Sequence, residues 1–131
     1  MRLVAFIGVG SALGGIARYL LSTFIQHRSG GVFPLGTLLV NVTGSLLLGF
    51  LVRYALATPG ITSELRGMLT IGFCGGYTTF SSFSYETAAL LEDGDYRRAT
   101  VYTVASVALS LVGIFVGFML AREVLAFRGR A

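Results

Sequence analysis

Neutral polar residues recur every four positions in two otherwise apolar stretches of the sequence. They are, in chain order, Thr37, Asn41, Ser45, Tyr102, Ser106 and Ser110. Residues at i, i+4 and i+8 lie along one face of an α-helix, so the spacing predicts two rows of hydroxyl and amide groups. Uncharged groups of this kind suit a small hydrated solute that must not be bound too tightly.

Each polar residue also has a purely structural interpretation. Ser and Thr hydroxyls in membrane helices often bond to their own i−4 carbonyls, and an Asn side chain can hold two helices together. For the hydroxyl residues taken singly this simpler interpretation is favoured. For Asn41 we favour a functional role, because an amide near mid-helix has two donors and an acceptor to satisfy.

A third unusual segment, from Gly72 to Glu86, reads Gly-Phe-Cys-Gly-Gly-Tyr-Thr-Thr-Phe-Ser-Ser-Phe-Ser-Tyr-Glu. Adjacent glycines followed by hydroxyl residues disfavour a continuous helix, because glycine loses backbone entropy and the hydroxyls compete for main-chain hydrogen bonds. The composition predicts a helix break near Gly75–Thr79. An interrupted membrane helix frees carbonyl and N–H groups, which other transport proteins use to hold ions.

Aromatic and charged residues flank the predicted break. Phe80 and Phe83 share one helix face, where their positive ring edges could line an anion route weakly, although ordinary packing is the simpler interpretation. Glu86, the only acid in an apolar stretch, could carry protons or hydrogen-bond across a helix contact. Arg18 and Arg53 lie near the ends of apolar stretches, so we expect them to extend towards the membrane surface, with attraction of anions in the interior as the alternative.

These residues belong to four apolar stretches, at about 3–25, 35–57, 67–91 and 99–121. The chain has 131 residues, of which 54% are apolar and 12% are charged, against roughly 25% charged in soluble domains. Each stretch reaches the ~20 residues that a helix needs to cross the hydrocarbon of a bilayer. The sequence therefore predicts an all-α membrane protein, with four transmembrane helices in a single domain spanning residues 1–131.

The same count excludes several classes of protein. Connections of nine, nine and seven residues leave no room for a soluble catalytic or nucleic-acid-binding domain, so we expect neither activity. The basic charge comes from ten Arg and no Lys, which in so apolar a chain points to the lipid bilayer. A lone Cys74 makes neither an intrachain disulfide nor a zinc site. The apolar run after Arg2 is expected to be the first helix and not a secretory signal.

The arginines do not fix how the chain is inserted. With four spans, one side of the membrane would hold Arg2, Arg53, Arg66, Arg122, Arg128 and Arg130, and the other Arg18, Arg28, Arg97 and Arg98. Six against four is a weak bias, which leaves open both a single orientation and insertion both ways as an antiparallel dimer.

Glycine pairs one helical turn apart predict close helix packing. They occur at residues 10 and 14, 72 and 76, and 113 and 117, and this spacing lets membrane helices approach closely. Four short helices packed so tightly form a body too small to enclose much of a pathway, so we expect partner chains.

The 72–86 segment, together with Gly36-Thr-Leu-Leu-Val-Asn41 and Gly14-Gly-Ile-Ala-Arg18, resembles the CrcB/Fluc family of fluoride channels over essentially the full length. The resemblance implies an antiparallel, dual-topology homodimer with two pores that passively export fluoride across a bacterial inner membrane. It also implies a structural sodium ion at the dimer centre, bound by the backbone carbonyls of Gly75 and Thr78 from each subunit.

The resemblance further implies roles for individual side chains. Asn41 would coordinate fluoride, and the ring edges of Phe80 and Phe83 would face the ion. The remaining implied pore positions are Thr37, Thr79, Tyr102, Ser106, Ser110, Arg18 and Glu86. Neutral donors and ring edges suit fluoride, because its water must be replaced while a full positive charge would trap it.

Two other classes of protein remain as alternatives. A proton-coupled antiporter of the small multidrug type also uses four short helices and an antiparallel dimer. That family takes its carboxylate from helix 1, which has no acid here, so Glu86 could serve only in a different architecture. A non-transporting accessory membrane protein is disfavoured by the two polar rows.

Overall fold

The computed structural model describes residues 1–129, and within that range it is helical without strands. The last two residues, including the Arg130 counted above for orientation, lie outside the described part. The elements are α1 (Arg2–Ser29), α2 (Leu35–Leu56), α3 (Ser63–Gly67), a π-helix (Met68–Cys74), α4 (Gly75–Tyr77), α5 (Phe80–Glu92) and α6 (Tyr96–Arg128).

Three of the described helices are long and apolar enough to cross a bilayer. They are α1, α2 and α6, with 28, 22 and 33 residues. At 1.5 Å per residue even the shortest measures roughly 33 Å, which matches the ~30 Å of hydrocarbon. The predicted stretches at 3–25 and 99–121 lie within α1 and α6, which both extend further, and the stretch at 35–57 matches α2 except that the helix ends one residue early, at Leu56.

The fourth predicted stretch, 67–91, is not one helix. It is divided into the end of α3, the π-helix, α4 and α5, and the chain leaves helical geometry at Thr78 (φ −83°, ψ 157°) and Thr79 (φ −150°, ψ 109°). The predicted break near Gly75–Thr79 is therefore confirmed, and it falls on the hydroxyl residues of that segment and not on its glycines. Gly75 and Gly76 are helical residues of α4, and the two threonines form the interruption.

Small residues allow the helices to approach closely. A Cβ atom at Gly10 would overlap the Met68 carbonyl oxygen, and one at Gly76 would overlap that of Ser11, so α1 lies directly against the broken segment. On the other side, a Cβ at Gly117 would overlap the Leu46 carbonyl oxygen where α6 packs on α2. The close packing predicted from the glycine pairs is confirmed.

The buried core is small and lies beside α5. Leu38, Leu90, Ala99 and Tyr102 form it, with Phe33, Leu35, Phe83 and Ala105 packed against it. Most large apolar side chains of α1 and α6 are exposed instead, among them Leu13 and Phe115. Such an outer surface fits hydrocarbon surroundings, since lipid chains solvate apolar side chains.

Candidate functional site

The two polar rows lie on α2 and α6. Members of both rows line one cavity, and Thr37 of the α2 row lines a second one. One cavity, of about 340 Å³, lies at the interruption, and its polar lining residues are Asn41, Ser45, Thr78, Thr79, Ser106 and Ser110. Phe80 and Phe83 line it as well. The other cavity, of about 500 Å³, is lined by Thr37 and Glu86 among others. The structure thus brings together residues as far apart in the sequence as Asn41 and Ser110.

Glu86 lies between the two rows and receives a hydrogen bond from each. The Thr37 hydroxyl donates to Oε1 over 2.7 Å, and the Tyr102 hydroxyl donates to Oε2 over 2.6 Å. Thr37 and Tyr102 are buried, with 6% and 0% of their surface exposed. Within residues 1–129 no cationic side chain forms a salt bridge with this carboxylate. Its partners are therefore neutral donors, one from α2 and one from α6.

Asn41 closes the interruption from α2. Its amide nitrogen donates to the Thr79 carbonyl over 3.1 Å, and its amide oxygen accepts from the Thr79 N–H over 2.7 Å. One side chain thereby satisfies both backbone groups of Thr79. The second N–H of the amide has no hydrogen-bond partner among the described residues, so a donor remains beside the cavity.

The threonines of the interruption have local roles. The Thr79 hydroxyl accepts from the Ser82 N–H over 3.1 Å and so caps the start of α5. The Thr78 hydroxyl donates to the Cys74 carbonyl over 3.0 Å. Thr79 thus acts as the N-cap of α5, a position that Thr favours, whereas Thr78 bonds back to the carbonyl four residues before it at the end of α4.

Two backbone carbonyls at the interruption remain free. The Thr79 N–H, which would bond to the Gly75 carbonyl in a continuous helix, bonds to Asn41 instead. The Gly75 and Thr78 carbonyls accept no hydrogen bond from the described part of the chain. A Cβ built on Gly75 would meet no atom within 4 Å, so this face of α4 is open. Free carbonyls of an interrupted helix are the kind of ligand that transport proteins offer to Na⁺.

Arg18 lies against this same helix end. Its Nε donates to the Gly76 carbonyl over 3.2 Å. The close approach of α1 places Arg18 beside a carbonyl that needs a donor, whereas the expectation that its side chain extends to the membrane surface stays a prediction. A cationic side chain at the last carbonyls of a helix is favourable.

The two phenylalanines differ in their surroundings. Their ring centroids are 5.4 Å apart with an interplanar angle of 46°, and the Phe83 ring lies 5.3 Å from that of Tyr102. Phe83 is half-buried at the core, whereas Phe80 is 78% exposed. Of the two phenylalanines, only Phe83 packs against the core of its own chain.

Ser106 presents an unused hydroxyl. Only 6% of its surface is exposed, yet its Oγ has no hydrogen-bond partner among residues 1–129. Both it and Ser110 line the cavity at the interruption. A buried hydroxyl without a partner is costly unless something else occupies the space beside it.

The sequence interpretation missed the polar end of α1. Ser22, Thr23, Gln26 and His27 line the cavity that contains Glu86. Their spacing, with Ser22 and Gln26 four apart and Thr23 and His27 four apart, is the same signal that identified the rows on α2 and α6. These residues lie close to the end of α1, where polar residues are common and indicate no particular function.

Apolar spanning helices with neutral polar groups between them define a multi-pass membrane protein. The family model described as "CrcB-like protein, Camphor Resistance (CrcB)" matches residues 5–118. The chain belongs to this family.

Curated relatives are similar over nearly their full length. The "Fluoride-specific ion channel FluC" of Geobacter sulfurreducens is 50% identical over 123 residues, which cover 94% of this chain and 99% of that protein. The proteins of the same name from Rhizobium meliloti and Geobacter metallireducens are 46% and 48% identical, covering 93% and 94% of this chain and 98% and 99% of theirs.

Proposed function

We propose that this chain is a fluoride-specific ion channel that passively exports fluoride from the cytoplasm and so protects the cell from fluoride toxicity. The observation that carries the proposal is the full-length similarity to relatives named for this activity, at up to 50% identity in those compared. No catalytic reaction is part of the proposal, and the setting proposed is the inner membrane of a bacterium.

The neutral polar lining fits the chemistry of fluoride. The cavity at the interruption is lined by the Asn41 amide and the Ser106 and Ser110 hydroxyls, and no charged side chain of residues 1–129 lines it. Donors of this kind replace water around a small anion, whereas a fixed cation would hold it too long. The Ser106 hydroxyl and the second Asn41 N–H have no partners within the described chain, so they are the donors available to the ion.

The aromatic pair provides the apolar part of the proposed route. The edge of a phenyl ring carries partial positive charge, so Phe83 at the cavity wall attracts an anion weakly. Phe80, with 78% of its surface exposed, turns away from its own chain's core. We propose that it lines a route together with the second subunit.

The proposed assembly is an antiparallel, dual-topology homodimer. Its support is the exposed Phe80, the open face at Gly75 and the weak arginine bias of six against four. In such a dimer the Gly75 and Thr78 carbonyls of both subunits would bind a structural sodium ion at the centre. Their oxygens are free within the chain, and neutral carbonyls suit an alkali cation.

A proton-coupled antiporter is a weaker proposal. It requires a carboxylate that exchanges its proton against a substrate, and Glu86 is the only acid in the four apolar stretches. Both oxygens of Glu86 already accept hydrogen bonds from Thr37 and Tyr102, and the similar relatives bear the name of a channel.

Fluoride efflux from proteoliposomes tests the proposal. The purified chain is reconstituted, and efflux is followed with a fluoride electrode, with chloride-loaded vesicles as the selectivity control. We expect rapid fluoride efflux and no chloride efflux, and we expect Phe80→Ile or Phe83→Ile to abolish the fluoride signal. Phe115→Ile is the matched control, because Phe115 is 62% exposed on α6 and lines neither cavity. Equal efflux of both halides, or full activity of the Phe83 variant, would contradict the assignment.

A further inference from the structure

Tyr77, the last residue of α4, is buried between α1 and α2. Only 7% of its surface is exposed. A Cβ atom at Gly14 of α1 would lie 2.8 Å from its backbone nitrogen, and one at Gly44 of α2 would lie 2.9 Å from its ring atom Cδ1. Its ring also stacks on that of Phe73, with centroids 5.8 Å apart and an interplanar angle of 10°. The ring therefore has a fixed place against α2, directly before the interruption.

The Tyr77 hydroxyl reaches α2 at Thr43. The two hydroxyl oxygens are 2.9 Å apart. The Thr43 hydroxyl gives its single proton to backbone carbonyls of its own helix, those of Leu39 over 2.7 Å and Val40 over 3.2 Å, so Tyr77 is the donor in the bond between the two side chains. Because Gly44 has no side chain, the ring can lie across α2 to reach this acceptor. A side-chain hydrogen bond thus ties the end of α4 to α2.

The residues on both sides of Thr78 are therefore held by α2. Tyr77 is tied to it through its hydroxyl, and both backbone groups of Thr79 bond to Asn41. The N–H and the hydroxyl of Thr78 both donate to the Cys74 carbonyl over 3.0 Å. The Thr78 carbonyl accepts no hydrogen bond from residues 1–129, and its position is fixed from the residue before it and the residue after it.

Such positioning affects how tightly a carbonyl binds an ion. The Thr78 carbonyl is one of the two oxygens that each subunit would offer to sodium in the proposed dimer. Ligand groups that are already in position lose less freedom on binding. The apparent affinity falls in proportion to the fraction of molecules that have the binding-competent arrangement. A bond that holds this arrangement therefore strengthens binding without touching the ion.

We propose that the Tyr77 hydroxyl, through its bond to Thr43, positions the Thr78 carbonyl and so sets the sodium affinity of the proposed site. Tyr77 is in this sense a positioning residue. A hydrogen bond between membrane helices changes an equilibrium constant about threefold, and the proposed dimer contains two such bonds. Loss of the hydroxyl should therefore weaken sodium binding about three- to tenfold. This inference rests on the sodium site within the proposed function.

The thermal midpoint of the full chain, measured against sodium concentration, tests this role. Purified protein in lipid–detergent micelles is titrated with sodium chloride, and N-methylglucamine chloride keeps the ionic strength constant. Binding to the folded state raises the midpoint once sodium exceeds its dissociation constant. We expect the curve of Tyr77→Phe, which keeps the ring, to be displaced to about three- to tenfold higher sodium, with each curve measured from its own sodium-free midpoint.

Two further variants accompany Tyr77→Phe. Thr43→Val removes the acceptor and keeps a branched side chain, so its curve should be displaced to a similar extent, and it carries the same test if Tyr77→Phe does not fold. Tyr96→Phe is the matched control, because Tyr96 is 67% exposed at the start of α6, and its curve should coincide with that of the unaltered protein.

The outcomes separate this inference from the function on which it rests. A Tyr77→Phe midpoint that is lower by the same amount at every sodium concentration overturns the inference, because the hydroxyl then contributes to packing alone. An equal displacement in Tyr96→Phe overturns it as well. If the midpoint of the unaltered protein does not depend on sodium, the sodium site is refuted and this inference with it. Fluoride efflux, measured on the same preparation, decides separately whether the chain is a channel.

Discussion

Replacement of Asn41 by alanine tests how the interruption is held. The substitution removes two hydrogen bonds, of 2.7 and 3.1 Å, and leaves both backbone groups of Thr79 unpaired at a residue that is 9% exposed. An unsatisfied buried group costs about 1–3 kcal/mol in soluble proteins, whereas hydrogen bonds between membrane helices average about 0.6 kcal/mol. We therefore expect the free energy of unfolding to fall by about 1–3 kcal/mol and fluoride efflux to be lost.

Two measurements on Asn41→Ala distinguish a local from a global effect. Unfolding in mixed micelles gives the loss of stability, and hydrogen exchange followed by mass spectrometry reports on residues 77–82. We expect faster exchange at the Thr79 amide, because its acceptor is gone, with little change in α2 and α6. Ser45→Ala is the matched control, since Ser45 lines the same cavity but does not bond to Thr79. Unchanged stability and unchanged exchange at 77–82 in Asn41→Ala would refute the reasoning.

Two further predictions concern packing and the proposed sodium site. Gly76→Ala should lower the free energy of unfolding by about 1–3 kcal/mol, because its methyl group overlaps the Ser11 carbonyl and must separate α1 from α4. Gly8→Ala is the control and should leave the free energy of unfolding unchanged, because its methyl group meets no atom within 4 Å. An equal loss of stability in both variants would contradict this account. Replacing sodium by N-methylglucamine in every buffer should lower the thermal midpoint of the reconstituted protein through loss of a bound ligand, and a midpoint independent of the cation would count against carbonyl ligation by Gly75 and Thr78.

The sequence predicted the helices and the facing rows well, because both follow from periodicity. The apolar stretches gave the positions of α1, α2 and α6, since a helix that crosses lipid must be apolar along its length. Asn41 and Ser45 of the α2 row and Ser106 and Ser110 of the α6 row line one common cavity, as two facing rows can. Glu86 likewise bonds to one member of each row.

The details of the interruption could not be predicted from local sequence. The backbone groups of Thr79 can leave the helical hydrogen-bond pattern because Asn41, 38 positions away in the sequence, bonds to both of them. Gly76 is helical although glycine favours non-helical backbone, and α1 packs directly against it. The contact of Arg18 was likewise not predictable from local sequence, since its partner is a carbonyl 58 positions further along the chain. Each of these features depends on tertiary contacts, which cannot be predicted from the periodicity of the sequence.

The two hydrogen bonds between the Asn41 amide and the Thr79 backbone lie entirely within one chain. Chains emerge from the ribosome starting at the N-terminus, so α2 is available before Thr79 is made. A newly inserted copy can therefore complete its own bend without waiting for another molecule. In the proposed dimer two already folded copies would associate, and co-expressed variants should then form mixed pairs without either one having to refold.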